Sequence, residues 1–577
     1  MNNEKINGFD SNRRRFVQGL SSGGVLASLG LMSNNVLAAK QSTHEVAILD
    51  GPVFDLTIEE VMVNFTGKTR VATAINGSIP APTLRMREGD DIVLRVTNKM
   101  AVTSSIHWHG LILPNNMDGV PGLSFDGIAP GETYVYKFKA VQNGTYWYHS
   151  HSGFQEQTGM YGSIVIEPRN NVARFDRDYV VLLSDWTDEK PENVYAKLKK
   201  MSHYYNTRER TLSDFTKEVK QMGLGNAKKS RDMWNQMRMS DRDISDVTGM
   251  TYTFLTNGKT PNEGWTGSFK AGERVRLRFI NAAAMTFFDV RIPGVKMEVI
   301  ATDGQYIKPV LGIDEFRIGV AETYDVIVQP THGSHAIFAQ TIDRSGYAFG
   351  TLTSNGQKAK APAMDIAPIL THTDMGMDMG GMDMSDPAMA GMDHSAMGHD
   401  MGSMEAVKPR VQVAQGVQTD MMATAPQTRL NDPGVGLRNN GRRVLTYADL
   451  RNYYPTIDKR SPNREIELHL TGNMSRYMWS INGVKFQDAK PIGLKFGERV
   501  RFTLINDTMM NHPIHLHGMW SELESGDDNY LPRKHTIVNQ PGAKVSYLVT
   551  ADAKGQWAFH CHLIYHMKSM FRRVIVS

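Results

Sequence analysis

The sequence predicts an all-β protein made of three β-sandwich domains of common descent. Two observations predict it. From about residue 44 the chain runs as short stretches of alternating apolar and polar residues, parted by Gly, Pro and Asn turns. One three-part passage then recurs three times. Ile75-Asn76-Gly77, Thr256-Asn257-Gly258 and Ile481-Asn482-Gly483 open it. Gly89-Asp90, Gly272-Glu273 and Gly497-Glu498 lead into strands that end at Asn98, Asn281 and Asn506. Gly144, Gly333 and Gly555 each start a final strand. The expected domains are 44–170, 175–358 and 441–577. A polar helical insertion is expected at about 190–250, inside the second. Residues 360–440, where the β pattern stops, read as a Met-rich disordered linker.

Bulk composition narrows the function classes. The net charge of +4 over 577 residues is small and forms no basic stripe, which argues against a nucleic-acid partner. One cysteine means no intrachain disulfide. The outlier is 35 methionines. At the amino terminus, Ser11-Asn12-Arg13-Arg14-Arg15-Phe16-Val17 precedes a weakly apolar run from Gly19 to Met32, closed by Val36-Leu37-Ala38-Ala39. That pattern reads as a twin-arginine signal over 1–39. Export through the twin-arginine machinery to the periplasm is the expectation. The run is too short and too rich in Gly and Ser for stable membrane insertion.

The repeat register locates the chemistry. Nine and eleven residues after Asn98 stand His107 and His109, and the same count from Asn506 gives His515 and His517. Five and seven after Gly144 stand His149 and His151, and the same count from Gly555 gives His560 and His562. In the second repeat these positions hold Val290, Ile292, Phe338 and Gln340. A strand points alternate residues to one face, so each His-x-His aims two imidazoles together. Eight imidazoles exceed one ion's needs and suit a cluster between the first and third domains.

The third repeat adds a second site. His512 replaces the Ser104 and Phe287 of the other repeats, and Cys561 replaces Ser150 and Ala339. A free cysteine is ordinarily a small buried hydrophobe. Here a thiolate stands with His512, His566 and a nearby methionine sulfur, which is the ligand set of a blue copper electron-transfer site. Cys561 is joined through one peptide step to His560 and to His562, a short covalent path to the cluster.

These motifs resemble those of the multicopper oxidases. His107-Trp108-His109-Gly110, His149-Ser150-His151, His512-Pro513-Ile514-His515-Leu516-His517-Gly518 and the run from His560 to His566 carry the resemblance. It implies three cupredoxin-like Greek-key domains and four copper ions: one type 1, one type 2 and two type 3. By resemblance His512, Cys561 and His566 bind the type 1 copper, and His107 and His515 the type 2. His109, His149 and His562 would hold one type 3 copper; His151, His517 and His560 the other. The implied reaction is four one-electron oxidations coupled to reduction of O2 to two waters, with Cys561, His560, His562 and Asp118 as the reacting frame. Asp118 matches the family's acid near the type 2 copper. The twin-arginine pattern and the methionines are most similar to the bacterial periplasmic copper-resistance oxidases. Two departures stand out. The axial Met usually lies five residues past the last His; here that place is Phe571, and Met570 at four is the expected ligand. Some relatives carry an acid just after that His, where this chain has Met567.

Residues 375–404 hold ten methionines among Gly, Asp and Ser, with no helical period. Thioethers are soft ligands for Cu(I), so the tract is expected to recruit cuprous ion, with His372, His394 and His399 adding capacity for Cu(II). Met510, two residues before His512, fits a substrate contact; Thr508 stands where cuprous oxidases of the family have an Asp, with Asp507 beside it. Met233, Met237 and Met239 on the insertion read first as packing. The expected function is oxidation of Cu(I), and of phenols or catechols, in copper tolerance. A laccase-like phenol oxidase and a non-catalytic copper-sequestering protein are the alternatives.

Overall fold

Each repeat is organised by the same two asparagines. Asn76, Asn257 and Asn482 sit at positive φ (53°, 49° and 53°), which Asn tolerates at a tight turn before Gly. Their side chains accept the backbone N–H of Thr57, Leu182 and His469 at 2.7, 2.8 and 2.7 Å. Asn98, Asn281 and Asn506 are fully buried. Asn98 donates to Val102 O and Ile128 O, both at 2.8 Å, and accepts from Met100 N. Asn281 donates to Thr286 O and Ile318 O, and Asn506 to Met510 O and Asn539 O. Each thus pins the loop that carries the chain toward the next strand, the one that bears histidines in the first and third repeats. Loss of one such buried amide leaves several backbone groups unpaired.

The chain is described from a computed structural model at residues 40–41, 46–170, 172–377, 411–414 and 416–577. The expected signal over 1–39 and the methionine run over 378–410 lie outside the described residues. The body of Gln41–Ser577 is nearly all β, with three pairs of sheets following one another in sequence. In the first pair, Val53–Val63, Asp91–Asn98 and Thr133–Lys139 form one sheet; Ala81–Arg87, Tyr161–Glu167, Gly144–His149 and His107–His109 form the other. The second pair is built around Arg177–Thr187 and Val275–Asn281, and around Tyr347–Thr353 and Ser334–Thr341. The third is built around Arg464–Asn473 and Arg499–Asn506, and around Phe571–Val576, Gly555–Cys561 and His512–Leu516.

Register puts the histidine strands side by side. His107 pairs with His149, and His515 with His560, so corresponding residues oppose in both sheets. In the middle pair Val290 faces Ala339 and Arg291 faces Phe338. That is one residue away from the count from Gly333, so the second repeat differs in register as well as in residue type.

Two helices, Pro191–Lys200 and Leu212–Met237, occupy the insertion. Thr211 and Asp214 form a capping box at the start of the longer one, and Gly223 breaks it with φ 78°. Trp234, Met237 and Met239 are buried in the main core, so the latter two pack as expected. The linker expectation over 360–440 needs correction at both flanks. Leu370, Met375, Met421 and Leu437 are buried. Arg429 donates to Asp374 O, and Arg438 pairs with Asp374 and Asp432. Those flanks pack through apolar anchors and paired charges.

Candidate metal centre

The eight imidazoles of the four His-x-His motifs converge between the first and third sheet pairs. Three rings lie close together in one group: His109 to His149 at 5.7 Å between centroids, His109 to His562 at 4.9 Å, and His149 to His562 at 5.0 Å. A second group joins His151 to His517 at 5.5 Å, and His560 to each of them at 5.3 Å. In it His517 Nε2 and His560 Nε2 are 3.1 Å apart. His107 and His515 lie 5.7 Å apart beside both groups.

The donor set fits metal. Among the described residues, His107 Nε2, His149 Nε2, His151 Nε2 and His515 Nε2, and both ring nitrogens of His109 and His562, are buried without a hydrogen-bond partner. Orphaned buried polar atoms at this density are costly. Burial, and then neighbouring imidazoles, lower the pKa of His109, His151, His515, His517 and His562 well below the ordinary value. Neutral imidazoles presenting bare nitrogens to one space are what copper requires.

Groups behind the rings fix their orientation. Asp118 O accepts from His107 Nδ1 at 2.7 Å, and Asp118 Oδ2 lies 2.9 Å from His517 Nδ1. One residue of the first sheet pair therefore touches a ring from each of two sheet pairs. His515 Nδ1 is held by His535 O. His149 Nδ1 meets Glu156 Oε2 at 2.8 Å.

The second site lies at the carboxyl end of Gly555–Cys561. Cys561 Sγ is 3.5 Å from His512 Nδ1 and 3.8 Å from His566 Nδ1, and the two nitrogens are 3.4 Å apart. All three residues are fully buried. Burial pushes the Cys561 thiol up, so a thiolate here needs a bound cation. Trp479 stacks on His566 with centroids 3.9 Å apart. His512 Nε2 meets Thr508 Oγ1 at 2.7 Å, so a hydroxyl holds this ring. Asp507 instead bonds His469 Nδ1 at 2.7 Å. Met570 is fully buried; its N–H donates to His566 O, and its carbonyl accepts from Cys561 N. Phe571 stacks its ring on His560 at 5.5 Å and 6°, which turns it toward the imidazole cluster.

Four residues escape the sequence patterns. Asp246, on the insertion, accepts from His566 Nε2 at 2.6 Å and from Tyr477 OH at 3.1 Å. Trp479, on Met478–Ile481, comes from the opposite sheet of the third pair. Glu156 backs His149. His535 brings a ninth imidazole within 4.7 Å of His109, with Nε2 unpartnered among the described residues; burial first of all lowers it to about 4. None of the four stands at a repeat offset. For Asp246, Glu156 and His535 the sequence signal was a polar residue that is buried in the fold; Trp479 carried none.

Known proteins agree with this architecture. Three multicopper oxidase family models match residues 57–171, 177–359 and 459–577. The chain belongs to the multicopper oxidase family and is a copper-dependent oxidoreductase. Within the family it sides with copper resistance protein A. It is 53% identical to Copper resistance protein A of Escherichia coli, over 98% of this chain and 99% of that one. It is 54% identical to the Copper resistance protein A homolog of Pseudomonas syringae pv. tomato, over the same shares. Among solved structures, the multicopper oxidase Fet3p, which functions in iron import, shares the fold with a TM-score of 0.62 at 18% identity, over 92% of this chain and 91% of that one.

Proposed function

We propose that the protein is a periplasmic cuprous oxidase serving copper tolerance, with three cupredoxin domains and four copper ions. His512, Cys561 and His566, together with Met570, would hold the type 1 copper. His107 and His515 hold the type 2 copper. His109, His149 and His562 hold one type 3 copper, and His151, His517 and His560 the other. Bound copper supplies one-electron chemistry and the place where O2 is reduced by four electrons to two waters.

The chain's own residues do the rest. Cys561 is bonded through the backbone to His560 and His562, so an electron reaching the thiolate has two covalent routes to the cluster. Asp118 would hold and pass protons for water formation, a role its contacts with His107 and His517 support. Trp479 and the surrounding core keep solvent from His566.

The observation that carries the cuprous reading is the cleft beside His566. Asp246, Met285 and Met510 line it together with Ile244, Asn511 and Leu563. Asp246 Oδ1 has no partner among the described residues, while Asp246 Oδ2 bonds His566 Nε2. Two thioethers and a carboxylate suit a cuprous ion arriving and a cupric ion leaving, one hydrogen bond away from a type 1 ligand. Oxygen uptake by the copper-loaded protein with Cu(I), and separately with a phenol, tests this. Cu(I) should support uptake, and Met285→Leu with Met510→Leu should raise KM for Cu(I) while sparing the phenol. Uptake with the phenol and none with Cu(I) would leave a laccase-like oxidase.

A further inference from the structure

Glu156 lies in the loop between Gly144–His149 and Tyr161–Glu167, just past His151, and is 3% exposed. A carboxylate at this depth needs partners. The basic side chains within 4 Å of it among the described residues are two histidines and no Lys or Arg. Oε2 is 2.8 Å from His149 Nδ1, which also meets Ser150 O at 2.9 Å. Oε1 is 3.9 Å from His562 Nδ1, and neither of those two atoms has a hydrogen-bond partner among the described residues. At 3.9 Å the second contact is electrostatic rather than a hydrogen bond. The two imidazoles come from different sheet pairs, yet their rings lie only 5.0 Å apart. With each Nδ1 on the side of Glu156, each Nε2 is free.

We propose that Glu156 is a positioning residue of the copper cluster, a single carboxylate that holds His149 and His562 with Nε2 presented to the same copper. The proposal rests on the copper assignment above and goes beyond it. A polar partner at one ring nitrogen sets which nitrogen is left for the metal, and at His149 Nδ1 Glu156 shares that place with Ser150 O. Carboxylates behind ligating histidines fix ring orientation and raise ligand basicity. Asp118 does this for His517 on the other side of the cluster, so each group of three histidines has a carboxylate from the first sheet pair behind it. Glu156 differs in facing two ligands of one group, one from each side of the interface.

The test uses the full copper-loaded chain as parent, Glu156→Gln and Glu156→Ala. Each is titrated with a competing copper chelator while the blue thiolate band, the near-ultraviolet band of the coupled pair and the electron paramagnetic resonance signal are followed. Glu156→Ala should release cluster copper at chelator levels about 10–100-fold lower than the parent. Glu156→Gln keeps one carbonyl oxygen for His149 but puts an amide donor where the second carboxyl oxygen faced the rings, so it should fall between the two. The thiolate-bound copper should keep its parent midpoint throughout. An unchanged cluster midpoint in Glu156→Gln overturns the proposal, and this variant alone decides if Glu156→Ala does not fold. Equal shifts at both sites also overturn it, since they mark lost packing between the sheet pairs. A parent that binds only thiolate-site copper overturns the copper assignment itself, and the proposal with it.

Discussion

At the scale of single residues, the least certain ligand in the sequence acquires a structural argument. Phe571 occupies the usual axial position, but its ring is committed to His560. Met570 is buried and tied through its own backbone to both Cys561 and His566. Met570→Leu should therefore shift the blue band and raise the reduction potential, because the axial ligand tunes the potential of such sites. A rise of about 59 mV would be a tenfold change in the one-electron equilibrium. Redox titration of the blue band checks this, and an unchanged potential and spectrum would remove Met570 from the site. The eight clustered histidines were legible, because the repeats place them at fixed counts and a strand sends alternate residues one way; His512 and Cys561 were legible as departures from the other repeats, and His566 by its nearness to Cys561. Asp246, Glu156 and His535 were not. Each reaches the site by a tertiary contact from a loop or insertion, and no local spacing records such a contact. Thr508 was legible as a departure from the expected substrate contact, but its role was not: its hydroxyl meets the His512 ring nitrogen.

At the scale of elements, the strands themselves were readable from period-two patterning and Asn-Gly turns, and the register of the middle sheets was not. Counting from Gly333 presumes an identical loop in every repeat, and the pairing of Val290 with Ala339 departs from it by one residue. Buried charge on the central strands was also hidden. Arg276 and Arg278, on Val275–Asn281, are nearly fully buried and both reach Asp178 on the neighbouring parallel strand. Burial would raise the Asp178 pKa, but the guanidinium groups outweigh it and lower it to about 2. A carboxylate held below its unfolded value of 3.8 contributes stability that is present above that value. That stability is lost as pH falls toward about 2. Asp178→Asn leaves two buried guanidinium groups short of a counter-charge and should cost about 3–5 kcal/mol near neutral pH. Denaturant unfolding of variant and parent measures it. The variant should also lose less stability than the parent as pH falls from about 4 to about 2, the window this carboxylate controls.

At the scale of the whole molecule, the proposed cuprous function raises the question of how cuprous ion would reach a buried thiolate site, and it involves both the methionine tract and the insertion. The described flanks of the tract are fixed to the body. Met375 is fully buried, and Ala423 N donates to Asp507 at 2.8 Å, five residues before His512 in sequence. Both ends of the 378–410 run are thus anchored to the same body as the cleft of Asp246, Met285 and Met510. Tethering weak sites to a body raises their effective concentration there without any new contact. The structure also decides where a deletion should begin, since removing Met375 would take out core packing and confuse the outcome. Removing 378–404 alone should lower kcat/KM for Cu(I) by about tenfold or more, through local concentration, and leave phenol oxidation within about twofold. The blue band and the thermal midpoint should not change, because no described core residue is lost. Steady-state oxygen consumption on both substrates gives the answer. Equal loss on both would make the run a structural connection rather than a cuprous supply, and no loss on either would make the cleft self-sufficient.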